Sequence, residues 1–272
     1  MTDETYGTLA AVYDWLVPAA LLAPRGSVAA FAPVVDELDS GARVLDCAAG
    51  TGQLAVGLAL RGFKVVATDA SSAMIQRTRE LADRHRVDLE AIRCPWSELE
   101  RHGWEQAFDA VFCVGNSLTH ANGSAGRRAA MAAMRAVLRD GGLLVVTSRN
   151  WEQLRADRPR LQVTDSLVER DGRHGLVIHC WMIPDAWDEP HHLDLAVAIV
   201  DQAGEVTTVA ERLTFSPFTH QMLDADLRAA ELTPLSSTYA PNTDRYLVTA
   251  RRGRRTNPGT GRATGPNLGR SY

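Results

Sequence analysis

The stretch 43–71, RVLDCAAGTGQLAVGLALRGFKVVATDAS, constrains the fold more than any other part of the chain. An apolar run ends in Asp46, a glycine turn leads into a helical pattern, and a second apolar run closes on Asp69. Strand, crossover helix and strand make a parallel βαβ unit. Further apolar, β-branched runs at 88–93, 110–114 and 143–148 alternate with helical patterns, such as SSAMIQRTRELADRH after two N-capping serines. That rhythm predicts an α/β fold with a doubly wound, Rossmann-like sheet.

The turn also restricts the ligand. Its spacing is Asp46-x-x-x-Gly50-x-Gly52, with Ala48 as a third small residue, and glycine there lets the backbone approach a ligand at the helix N-terminus. An acid at the end of the first strand repels a pyrophosphate but accepts hydrogen bonds from an amino-acid moiety or from the turn itself. Asp69, ending the second strand, is placed to take ribose hydroxyls. A nucleoside with an amino-acid tail satisfies both acids, and S-adenosylmethionine is that molecule. A nicotinamide dinucleotide, the rival for such a unit, is disfavoured by Asp46.

The second half changes character. RLQVTDSLVERDGRHGLVIHCWMI turns at Asp171-Gly172, and HHLDLAVAIVDQAGEVTTVAERLTF repeats the hairpin grammar around DQAGE, so 151–215 reads as an antiparallel β insertion. A last helix precedes runs at 235–239 and 246–251, predicted to finish a seven-stranded, mostly parallel sheet as its antiparallel edge. The organisation expected is an N-terminal helical lid (1–40), the ligand-binding core (41–150), the insertion on the acceptor side (151–215), the end of the core (216–252) and a disordered tail (253–272), which is nearly free of apolar side chains. In the lid, Leu9, Val12, Tyr13 and Leu16 stand at helical spacing.

Composition narrows the partners. A net charge of −4 over 272 residues points to no nucleic-acid or anionic-membrane partner, and no 18-residue apolar run appears. The polar, acidic start is unlike a secretory signal, so a cytoplasmic protein is expected. The cysteines, Cys47, Cys94, Cys113 and Cys180, lack metal spacing, and His191-His192 opens an alternating strand that sends the two rings to opposite faces; no metal is expected. Lys64, the one lysine, starts a strand away from the ligand end, which argues against a Schiff base.

VLDCAAGTG, the aspartate of VATDAS, FDAVFCVGNSLTHA and LRDGGLLVVTSRNW together resemble the class I S-adenosylmethionine-dependent methyltransferases over residues 6–250. The last two are similar in particular to the glycine/sarcosine N-methyltransferase group, through Gly115-Asn116-Ser117 with His120, Arg149-Asn150 and the aromatic Trp151. The resemblance implies that Ala48, Gly50 and Gly52 line the methionine and ribose of S-adenosylmethionine (the product being S-adenosylhomocysteine), that Asp69 binds the ribose, and that Ala70 and Met74 border the adenine. Cys94, Pro95 and Trp96 would form the other adenine wall. Pro95 departs from the Asn or Asp usual in the group and has no donor, which leaves the Trp96 main-chain N–H or a neighbouring side chain to read the base. Val114, Gly115, Asn116 and Ser117 would face the sulfonium, with carbonyls and the Asn116 amide positioning the acceptor.

Arg149 matches the arginine that pairs with the substrate carboxylate, with Asn116, Trp151 and Tyr13 beside it. Tyr6 and Tyr13 would close over the methyl group, and His120, with a pKa near neutrality, would take the acceptor proton. The reading is therefore methyl transfer to a small-molecule amine or amino-acid nitrogen. Its alternatives are an O- or C-methyltransferase of natural-product biosynthesis, which Trp15, Trp151, Trp181 and Trp187 around an aromatic acceptor would suit, or a protein that binds the cofactor without using it. Homo-oligomerisation through exposed hairpins stays open.

Overall fold

The computed structural model describes residues 6–164 and 167–253. The tail expected at 253–272 therefore lies, apart from Gly253, outside the described residues. Six elements alternate as foreseen: β1 (Arg43–Asp46), α4 (Gln53–Leu60), β2 (Lys64–Asp69), α5 (Ser72–His85), β3 (Glu90–Arg93) and β4 (Phe108–Cys113), preceded by the short α1 (Ala19–Leu22), α2 (Pro24–Ala29) and α3 (Ala32–Val35). Then come α6 (Gly123–Val137), β5 (Leu138–Arg149), α7 (Trp151–Asp157), the hairpin strands β6 (Leu161–Val163), β7 (Val168–Arg170), β8 (Arg173–Met182), β9 (His191–Val200) and β10 (Val206–Phe215), and finally α8 (His220–Ala229), β11 (Leu232–Ser237) and β12 (Arg245–Arg252).

The main sheet has seven strands in the order β3-β2-β1-β4-β5-β12-β11. All pairings from β3 to β5 are parallel, whereas β12 runs antiparallel to both β5 and β11. The last two runs thus finish one side of the sheet through antiparallel pairings, as the sequence predicts: β12, the last strand, pairs with β5, and β11 takes the edge. The order reverses between β1 and β4, which opens a crevice at the carboxyl ends of these strands, where open α/β sheets bind ligands.

Local sequence explains the layers. Ser71 caps α5 by accepting from the Met74 N–H, and the helix lays Met74, Ile75, Thr78, Leu81 and Ala82 inward. One sheet face is covered by α6 and α8, joined through the buried Arg127–Asp226 pair at 2.6 Å. The other carries Val28, Val34 and Val35 of α2 and α3 against Leu54, Ala55 and Leu58 of α4. The segment expected as a helical lid accordingly divides: α2 and α3 belong to the core, whereas residues 6–17, with the 3-10 helix Leu9–Trp15, reach the insertion.

The insertion forms a second sheet, β10-β9-β8-β6, with β7 also on β8. β9 alternates buried and half-buried residues along its whole length, with Leu193, Leu195, Val197 and Ile199 facing inward. Leu9, Val12 and Trp15 pack on that face together with Trp151 and Leu154 of α7. Among the described residues no helix is long and apolar enough to cross a membrane, and no group of His, Cys, Asp or Glu is arranged to hold a metal ion.

Candidate active site

The β1–α4 turn is tight because two glycines adopt φ of +55° (Gly50) and +89° (Gly52), a region L side chains rarely enter. A Cβ on Gly52 would meet Thr78 Cγ2 at 2.8 Å, so this residue packs the turn onto α5 rather than lining a ligand. A Cβ on Gly50 would meet nothing within 4 Å, so this residue leaves open space. Thr78 Oγ1 donates to the Gly50 carbonyl at 2.8 Å and fixes the turn.

Asp69 holds the turn from the other side, accepting the Gly50 N–H at 3.0 Å on one oxygen and the Ser71 N–H at 2.9 Å on the other. Burial raises its pKa against these amides. The Ala70 amide supports the carboxylate as well, and a carboxylate's roughly four acceptor sites leave room for a hydroxyl donor beside these three amides. Asp46 is different: it is buried, and neither carboxylate oxygen has a partner in good hydrogen-bond geometry, the Ala48 amide giving it only weak support. Burial pushes its pKa up to about 7, with the Ala48 amide opposing and the charge of Asp69 adding. An orphaned buried carboxylate beside an open glycine calls for a cationic donor, and the α-ammonium group of S-adenosylmethionine fits that requirement, as its ribose fits Asp69.

Next to these acids lies a cavity of about 210 Å³, lined by Ala70, Cys94, Pro95 and Trp96 on one side and by Asn122 and Ala129 on the other. Met74, expected at its border, is buried within α5 and does not line it. The Trp96 indole N–H donates to the Cys47 carbonyl at 2.7 Å, which fixes the ring as a wall. Sequence reasoning missed Asn122: it occupies the N-cap of α6, makes no side-chain capping bond and lines the cavity together with Pro95.

After β4 the chain folds into a locked loop. Ser117 Oγ donates to the Val114 carbonyl at 2.7 Å, the Gly115 N–H to Thr147 Oγ1 at 2.8 Å, and Thr119 Oγ1 to the Asn116 carbonyl at 2.6 Å. Asn116, at φ +69°, accepts the Arg149 N–H on Oδ1 at 3.0 Å, which leaves its Nδ2 as a donor. The Val114 carbonyl thus accepts an internal hydrogen bond from Ser117 and keeps a second lone pair, the Asn116 carbonyl accepts from Thr119, and the side-chain amide of Asn116 is a further group this loop can offer.

Tyr6, Tyr13 and His120 do come together. The Tyr6 hydroxyl donates to His120 Nε2 at 3.0 Å, and His120 Nδ1 donates to the Thr214 carbonyl at 3.1 Å, since a carbonyl can only accept. Tyr13 stands edge-on to Tyr6 with ring centroids 5.8 Å apart. Burial lowers the His120 pKa to about 4, which corrects the expectation of a base near neutrality: the ring is a neutral acceptor that positions Tyr6.

Glu211 of β10 ties this corner down by accepting the N–H groups of Tyr6 (2.6 Å), Thr8 (3.2 Å) and Leu9 (3.1 Å). Glu211→Ala should cost about 1–3 kcal/mol, concentrated in residues 6–15. Hydrogen exchange should show their amides losing protection while those of α5 keep theirs; equal protection in both proteins would contradict a clamp.

Arg149 ends β5 with its guanidinium 5.5 Å from the Trp181 ring centroid and Nη1 at 3.0 Å from Asp244 Oδ1. Burial and the neighbouring Arg245 hold its pKa below the usual arginine value. Trp151, expected on the substrate, is instead 1% exposed and packs against Trp181, His191 and Phe215. Trp15 and Trp181 are likewise buried in this second core, whereas Trp187 of the same aromatic set is half-buried at its margin. Arg245 was not foreseen, because only the β5–β12 register places it opposite Arg149.

Residues 44–142 match a family described as a methyltransferase domain. The glycine/sarcosine N-methyltransferase of Aphanothece halophytica is 38% identical over 110 residues, 40% of this chain and 41% of that protein. The chain thus aligns with less than half the length of the curated relatives it matches. An S-adenosylmethionine-dependent methyltransferase from Clostridium acetobutylicum superposes with a TM-score of 0.71 at 17% identity, over 92% of this chain and 100% of the other. The CcbJ methyltransferase from Streptomyces caelestis does so with a TM-score of 0.72 at 22% identity, over 93% and 100%. The sheet order and these likenesses agree on the fold: the chain has the Rossmann-like architecture of the solved methyltransferases it superposes on, and its residues 44–142 match a methyltransferase domain.

Proposed function

We propose that this protein transfers the methyl group of S-adenosylmethionine to the nitrogen of a small amino acid of the glycine type. The observation that carries the acceptor is Arg149, a confined guanidinium at the carboxyl end of β5, beside the Asn116 amide. The likeness to a glycine/sarcosine N-methyltransferase supports the same class. When bound, the cofactor supplies an electrophilic methyl on a sulfonium. Asp46 holds its ammonium group, Asp69 its ribose, and the cavity walled by Trp96 and Asn122 its adenine. Arg149 grips the acceptor carboxylate and Asn116 Nδ2 orients it, while Tyr6 and Tyr13, pinned by His120 and Glu211, exclude water from above. Alignment in a dry cleft is what such a transfer needs. His120 holds a proton too weakly to take one from an amine, so the acceptor enters as the free base. In this reading 41–150 binds the cofactor and 151–215 shapes the acceptor side.

Calorimetric titration with S-adenosylhomocysteine tests the cofactor half. Wild-type protein should bind at roughly 1–100 μM, and Asp69→Ala should weaken binding by at least about 100-fold, because it deletes charge-assisted bonds worth about 1.5–3 kcal/mol each. Undiminished binding by the variant, or none by the wild type, refutes the reading. Methylation of glycine or sarcosine tests the acceptor half.

A further inference from the structure

Asp244 stands between two arginines that the sheet register sets side by side. Arg245 of β12 lies directly opposite Arg149 of β5, and opposed residues of an antiparallel pair project from the same face with Cβ atoms roughly 5 Å apart. One carboxylate answers both guanidinium groups, with Oδ1 3.0 Å from Arg149 Nη1 and Oδ2 3.6 Å from Arg245 Nε. The site therefore holds two positive charges against one negative.

The main chain at this point is pinned. The Asn150 N–H donates to the Asp244 carbonyl at 2.8 Å, Asn150 Nδ2 to the Ala240 carbonyl at 3.3 Å, and Thr243 Oγ1 to the same carbonyl at 2.7 Å. The carboxylate is not: the Asp244 side chain is 69% exposed, whereas that of Arg149 is 19% exposed. A fixed backbone carrying a solvent-facing carboxylate against a confined arginine lets another carboxylate take its place without unfolding the loop. On displacement Asp244 keeps Arg245 as its partner, so its charge is not stranded.

We propose that Asp244 is a specificity-determining residue of this site, an internal competitor that occupies the arginine pair until the carboxylate of an acceptor replaces it. The proposal rests on the reading of Arg149 as the carboxylate grip. It makes affinity for anionic acceptors depend on a residue from the far end of the chain, and leaves neutral amines untouched.

The probe is sodium acetate, titrated at constant ionic strength into the full chain, with intrinsic tryptophan fluorescence as the readout, to which Trp181 beneath Arg149 contributes. Asp244→Asn and Asp244→Ala should each bind acetate about 3–5-fold more tightly, the range set by an exposed ion pair. Arg245→Gln should weaken binding and Arg149→Gln should abolish saturation. Asp224→Asn, which removes a carboxylate paired with Arg228 on α8, should bind like wild type. Unchanged or weaker binding in both Asp244 variants, or no saturable binding to wild type, overturns the proposal. Failure of the functional reading looks different: glycine and sarcosine go unmethylated while the acetate series holds.

Discussion

Asp46→Asn should remove a pH dependence of stability that the wild-type protein carries between pH 4 and pH 8. The carboxyl group has an ordinary pKa of 3.8 and is raised to about 7 in the fold. Between these values the folded state binds more protons than the unfolded one, so stability falls as pH rises and levels off above about 7. A shift of roughly 3 units corresponds to about 4 kcal/mol. The variant has no such group, although its buried amide still bears a desolvation cost of about 1–3 kcal/mol. The stability of Asp46→Asn relative to wild type should therefore rise by about 4 kcal/mol from pH 4 to pH 8, read from urea unfolding across that range. Binding should move the other way. An ammonium group beside Asp46 favours the ionised form, so wild type should release a proton on taking S-adenosylhomocysteine at pH 6, visible by calorimetry in buffers of different ionisation enthalpy. The variant should bind more weakly, by about 10–100-fold, with no proton release. Parallel pH profiles for the two proteins would show that Asp46 is not the orphaned charge described above.

What the sequence made legible was local. The glycine turn, the two acids and the strand–helix alternation each depend on residues close in the chain, and the structure keeps all of them. The hairpins were readable because Asp171-Gly172 and DQAGE are turn chemistry between alternating runs. Position in the sheet was not. That β12 inserts beside β5 and leaves β11 at the edge depends on pairing across a hundred residues, and Arg245 could not be matched with Arg149 until that register was known.

Side-chain direction was the second blind spot. Trp151 follows Arg149 by two residues, but it opens α7 and turns into the insertion's core. Gly52 carries the motif yet serves α5. His120 lost its role as a base through burial, a property that emerges only when β10 and the N-terminal segment close around it. Asn122 went unnoticed because only the fold brings it to the same cavity as Pro95.

Arg149→Gln should lower kcat/KM for glycine by about 1000-fold, equivalent to about 4 kcal/mol, while the rate with a small neutral amine changes by less than about 3-fold. The argument begins with geometry. A guanidinium presents parallel N–H donors that match both oxygens of a carboxylate, and a glutamine amide offers a single NH2. It continues with burial. Arg149 lies over Trp181 with little exposure, so an acceptor carboxylate brought there loses water and must be paired, and an unpaired buried charge costs about 3–5 kcal/mol. Arg149→Lys, a point charge without the fork, should recover only part of the loss, leaving about a 100-fold deficit. Folding should be nearly indifferent, because the ion pair with the exposed Asp244 contributes about 0–1 kcal/mol. Steady-state rates with both acceptors, at pH values high enough to supply the free amine, separate the explanations. A loss confined to the carboxylate-bearing acceptor identifies Arg149 as its grip. An equal loss with both would mean that the side chain shapes the β4–β5 mouth instead of gripping a carboxylate, because the main-chain N–H to Asn116 Oδ1 is kept whatever side chain the residue carries.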